Sequence, residues 1–118
     1  MDPVAVTLLQ LPLPDPDPAL ARANVPLAAG YLKACAPAEA AGSIRIPPRE
    51  LSNHGGDRLL LDWLLEQEPA LVGFSCYLWN LERSLALARR LKETRLDTRI
   101  VFGGPEIVEG QPLLASPT

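Results

Sequence analysis

Four short apolar runs alternate along the chain with three longer stretches in which apolar residues recur at helical spacing. The runs are Val4-Ala5-Val6-Thr7-Leu8-Leu9, Ser43-Ile44-Arg45-Ile46, Leu71-Val72-Gly73-Phe74-Ser75 and Arg99-Ile100-Val101-Phe102. Their β-branched and aromatic content and the breakers that follow them predict strands. A first helix is predicted from a cap at Asn24, with Pro26 in its first turn, through Leu27, Ala28, Tyr31, Leu32 and Cys35 to Pro37. Gly30 inside it costs about 1 kcal/mol relative to alanine. That glycine is either a tolerated defect or a sign that the helix passes close to the sheet or a ligand.

His54-Gly55-Gly56 reads as a turn, and Asp57 as the cap of a second helix over Arg58 to Glu68. Leu60, Leu61, Leu64 and Leu65, with Trp63 beside them, give that helix a broad apolar face. Asn80 is expected to cap a third helix through Thr94, with Leu81, Leu85, Ala88 and Leu91 inward and Arg83, Arg90 and Lys92 outward. Pro105 suits the opening turn of one more helix, which Gly110 and Pro112 cut short.

Strand and helix therefore alternate, which calls for a parallel sheet with right-handed crossovers. The expected fold is a flavodoxin-like α/β/α three-layer arrangement with strand order 2-1-3-4, ending before the fifth strand such domains usually carry. Residues 1–110 form the domain and 111–118 a tail. The third run is apolar on both faces and belongs in the middle of the sheet. Ligands of open parallel sheets bind beyond the carboxyl ends of the strands. The loops expected there are Gln10 to Ala23, Cys76 to Trp79 and Gly103 to Glu106. Prolines at 12, 14, 16 and 18 make the first of these a stiff excursion, and its length suits a cover over something.

Composition narrows the chemistry. The 118 residues carry a formal net charge of -3 with both signs interspersed, so neither a nucleic-acid footprint nor a basic membrane patch is expected. No run approaches the length of a membrane span, and Met1-Asp2-Pro3 lacks the charge of a secretory signal. The expectation is a cytoplasmic chain with Cys35 and Cys76 reduced. No phosphate loop, dinucleotide fingerprint or nucleophile elbow is present. His54 reads as a turn residue, and Asp15 and Asp17 lack the strand-three aspartate of a phosphate-accepting pocket, because Ser75 stands there.

One paired feature remains. Strand three ends in Gly73-Phe74-Ser75 and strand four in Gly103-Gly104, a serine hydroxyl beside backbone that a large flat ligand can approach closely. Leu71 to Asn80, followed after a helix by Ile100-Val101-Phe102-Gly103-Gly104-Pro105-Glu106, resembles the cobalamin-binding domain at the amino end of B12-dependent radical SAM proteins. The segment Asn24 to Leu32 also resembles their first helix. The resemblance implies that a corrinoid's dimethylbenzimidazole tail passes between strands three and four, with Ser75 beside it and Gly103 and Gly104 along its channel. It places Tyr77, Leu78 and Trp79 near the corrin ring. Leu11, Pro12, Pro105 and Glu106 complete the expected cofactor-binding set, with no catalytic or metal-ligating residue.

Two departures from that family shape the expectation further. The loop after the first strand has no histidine, so cobalamin is expected base-off without a histidine on cobalt. The cysteine triplet that holds an iron–sulfur cluster is absent, so cluster and S-adenosylmethionine belong to a missing or separate radical SAM domain or partner. No catalysis is expected of the chain alone. Rival readings are a flavodoxin-like domain for FMN or another nucleotide, and a ligand-free interaction module. Two further expectations follow: Gly104→Val closes the tail channel in a folded protein, and the bare edge of strand four, Ile100 to Phe102, favours self-association.

Overall fold

The computed structural model describes residues 4–12 and 24–114. The loop prolines 14, 16 and 18, Asp15, Asp17 and the end of the tail lie outside the described residues. Four strands, β1 (Val6–Leu9), β2 (Ile44–Arg45), β3 (Leu71–Ser75) and β4 (Arg99–Gly103), form one parallel sheet in the order β2-β1-β3-β4. The helices are α1 (Leu27–Cys35), α2 (Ala38–Ala41), α3 (Arg49–His54), α4 (Gly56–Glu66) and α5 (Leu81–Thr94). This is the flavodoxin-like α/β arrangement read from the alternating pattern.

The two faces of the sheet are unequally covered. Leu9, Val72 and Phe74 point to one face and meet Leu60 and Leu64 of α4 and Leu81, Leu87, Ala88 and Leu91 of α5 in a single apolar cluster. Ile100 and Phe102 extend that face toward β4, and the Phe74 and Phe102 rings lie 5.5 Å apart. On the other face Val6, Leu8, Leu71, Gly73 and Ser75 are only half-buried, and Val101 and Gly103 are exposed. β3 is therefore central but not enclosed on both sides, contrary to its apolar reading. The reason is α1, which buries only Ala29 and leaves Leu27, Tyr31 and Leu32 at least 60% exposed.

Several local expectations change. Asn24 does not cap α1, because Pro26 occupies the cap position without a side-chain bond. The Asn24 amide instead donates to Gln10 O and Asn53 Oδ1 while its Oδ1 accepts from Gln10 Nε2, linking the end of β1 to α3. Gly30 faces open space, so no close approach to the sheet requires a glycine there. His54 closes α3 rather than forming a turn. That helix and α2 went unread because each follows a proline that looked like a stop; Pro37 and Pro48 sit just before the first helical residue, where a missing N–H costs nothing. Gly55 caps α4, and Asp57 lies in the first turn, paired with Arg83 of α5 at 2.6 Å. Leu87 joins Leu81, Ala88 and Leu91 inside, with Leu85 only partly buried. Residues 106–114 form turns and no helix.

Candidate functional site

The half-covered face ends in a groove. Parallel register sets Leu8 beside Gly73 and Gly73 beside Val101, and one pleat further on it sets Ser75 beside Gly103. Because Gly73 has no side chain, this row dips in the middle. Ala28, Ala29 and Leu32 of α1 form one wall, and Tyr77 and Gly104 close the carboxyl end. The groove holds about 270 Å³ and is lined mainly by apolar atoms. A β-carbon on Gly73 would come within 2.8 Å of the Leu8 side chain, and one on Gly103 would meet nothing within 4 Å. Among the described residues the Ser75 hydroxyl has no hydrogen-bond partner, so it is available at the groove's polar end.

Gly104 does a different job. Its φ is +103°, and a β-carbon there would lie 2.5 Å from Cys76 O and 2.7 Å from Cys76 N. The close approach that makes position 104 a glycine is to the protein's own backbone. Cys76 N donates to Gly103 O at 2.6 Å and Glu106 N donates to Cys76 O at 3.2 Å, so the two strand ends are latched together. The expectation that Gly104→Val leaves the fold intact is therefore overturned. Gly103 is the position whose missing side chain leaves open space, whereas at Gly73 the Leu8 side chain already fills part of it.

Behind the latch sits Asn80, 1% exposed. Its Oδ1 accepts from Tyr77 N at 2.8 Å, and its Nδ2 donates to Leu11 O at 2.8 Å and Ser75 O at 3.1 Å. One side chain thus fixes the β1 and β3 strand ends and shapes the loop between β3 and α5. It stands at the head of α5 without capping it by a side-chain bond.

Of the ten residues expected to hold a cofactor, Ser75, Tyr77, Gly103 and Gly104 line the groove. Leu11 and Pro12 are buried beneath the strand ends and do not line it. Leu78 and Trp79 lie outside it on the surface, 80% and 45% exposed, with the Trp79 ring stacked on Tyr77 at 4.8 Å. Pro105 and Glu106 lie in the turn beyond, where the Glu106 carboxylate accepts from Gln111 Nε2. Leu8, Ala28, Ala29, Leu32, Gly73 and Val101 were not singled out. Gly73, a glycine within a strand of branched residues, was the available signal.

Cys76 belongs to the core rather than to the chemistry. Burial pushes its thiol up from 9.0 to about 11, with Ser84 beside it pulling the other way. A neutral thiol is favoured in the folded state, so this contribution to stability is complete below pH 9 and lost as pH rises to about 11. The wild type is expected to lose more stability than Cys76→Ala between those limits. At neutral pH a thiol reagent should modify exposed Cys35 and leave Cys76 untouched until unfolding. Urea melts at pH 8 and 10.5 with thiol counting check both, and equal losses in the two proteins would refute the assignment.

The fold and groove define an open parallel α/β domain with a small apolar site at the carboxyl ends of its inner strands. Similarity to known proteins is short and local. A 40-residue stretch is 38% identical to the cobalamin-dependent radical SAM methyltransferase TokK of Streptomyces tokunonensis. A stretch of the same length is 38% identical to the 2-(S-pantetheinyl)-carbapenam-3-carboxylate methyltransferase of Streptantibioticus cattleyicolor. Each match spans 34% of this chain and 6% of the relative's length. No family model matches, and no solved structure matches. Among the described residues no helix is long and apolar enough to cross a membrane.

Proposed function

We propose that the chain binds cobalamin and is the cofactor-holding module of a radical SAM methyltransferase-like system. The observation that carries this is the groove floored by Gly73 and Gly103 with the free Ser75 hydroxyl at its end. Its 270 Å³ falls just short of the roughly 300–1,000 Å³ that encloses a whole drug-sized ligand. It therefore suits one flat nitrogenous ring, such as the benzimidazole tail of a corrinoid, and not the macrocycle. The Ser75 hydroxyl donates to the ring nitrogen, and the macrocycle rests outside against Tyr77, Leu78 and Trp79. Local similarity to two methyltransferases, one of them named as cobalamin-dependent, supports the reading.

Bound there, the corrinoid supplies the cobalt chemistry of methyl transfer. The chain's own residues hold and orient the tail and exclude water from it. The iron–sulfur cluster and S-adenosylmethionine belong to a separate radical SAM domain or partner. Cobalamin is held base-off with no histidine on cobalt, since the loop after β1 has no histidine and His54, the chain's one histidine, ends α3 and does not line the groove.

Absorbance titration with hydroxocobalamin tests the proposal. The wild type should bind, and Gly103→Val, folded by circular dichroism, should bind at least about tenfold more weakly because its branched side chain fills the groove. Undiminished affinity in that variant would take the tail out of the groove. Binding of FMN in place of hydroxocobalamin would establish the flavodoxin-like rival. Electron paramagnetic resonance of the cob(II)alamin complex should show no axial nitrogen coupling that His54→Ala removes.

A further inference from the structure

We infer that two copies of this chain dock through their β4 edges about a two-fold axis, each seating an acidic segment in a basic-rimmed slot of the other. Among the described residues β4 is the outermost strand, so alternate N–H and C=O groups along it point away from β3. Beside it runs a shallow hollow of about 770 Å³, floored by Leu85, Ala88, Ile100 and Phe102 and walled by Leu113 and Leu114. Its rim is cationic. Arg89 of α5 and Arg99 at the amino end of β4 are both exposed, and neither forms an ion pair among the described residues. Lys92 is already engaged, donating to Leu96 O and Thr98 O.

Just past the other end of the same strand lies the complement. Residues 106–109 read Glu-Ile-Val-Glu, with Glu109 exposed and Val108 56% exposed. A parallel approach of two copies would set arginines against arginines. An antiparallel approach brings each basic end to the other copy's acidic end and turns Val108 toward the apolar slot. Because the arrangement is self-complementary, both contacts form at once and the pair closes. The inference is independent of any ligand in the groove on the sheet face.

Charge exchange tests it without threatening the fold, since Arg99 and Glu109 are exposed. By sedimentation equilibrium at high-micromolar protein and low salt, the wild type should show twice the mass of one chain. Its dissociation constant should rise about tenfold in high salt. Arg99→Glu and Glu109→Arg should each be monomeric alone, because each sets like charges together at both contacts. Mixed in equal amounts they should restore the dimer, since the Arg99→Glu and Glu109→Arg changes then face each other with opposite charge while the unaltered pair forms alongside. A monomeric wild type, single variants that dimerise as the wild type does, or a mixture that stays monomeric would each overturn the inference.

Discussion

Gly104→Val is expected to cost about 3 kcal/mol or more of stability, whereas Gly103→Val changes it by less than about 1 kcal/mol. The two glycines are adjacent and alike in sequence, and the structure separates them. At 104 a branched side chain meets a φ of +103° and the Cys76 backbone, which cannot move without breaking the bonds to Gly103 and Glu106. At 103 the same side chain enters empty space. Urea denaturation of both variants reads the difference directly. Comparable stability in the two would mean that the latch between the β3 and β4 ends is not where position 104 exerts its constraint.

Asn80→Ala is expected to destabilise by roughly 3 kcal/mol, since it leaves Leu11 O, Ser75 O and Tyr77 N with one hydrogen bond fewer each in a buried place. Asn80→Asp should fare no better. A carboxylate still accepts from Tyr77 N but cannot donate to the two carbonyls, and it brings a charge into a site 1% exposed. Corrinoid affinity should fall in both variants, as the same amide sets Ser75 at the groove's end. Thermal melts together with the cobalamin titration measure the two effects. A loss below about 0.5 kcal/mol would leave the amide no role in holding the strand ends.

The sheet was legible because its information is local and periodic. Four β-branched runs separated by breakers specify strands, and alternation with helices specifies parallel order. What stayed hidden depended on partners distant in sequence. Asn80 looks like a helix cap at the head of α5, yet its donors go to Leu11 and Ser75. Asn24 looks like another and bridges Gln10 to Asn53. Ser75, Gly103 and Gly104 drew attention as strand-end residues, but Leu8, Ala28 and Leu32 are ordinary apolar residues that only the packing of α1 brings to the groove. Leu11 and Pro12 shared the correct end of the sheet and turned inward, a matter of side-chain direction that a loop without periodicity does not reveal.

The unequal faces of the sheet also imply an uneven distribution of cohesion. α1 buries only one side chain of its own, Ala29, whereas separating α4 and α5 from the sheet would dismantle the whole apolar cluster. Opening free energies follow such differences, since segments with few buried contacts fluctuate away long before the chain unfolds globally. Amides of β3 are thus released to solvent only with the complete structure, while those of α1 are released by a cheap excursion. The groove shares its wall with that helix, so a ligand lodged there would tie a loosely held helix to the strand at the centre of the core.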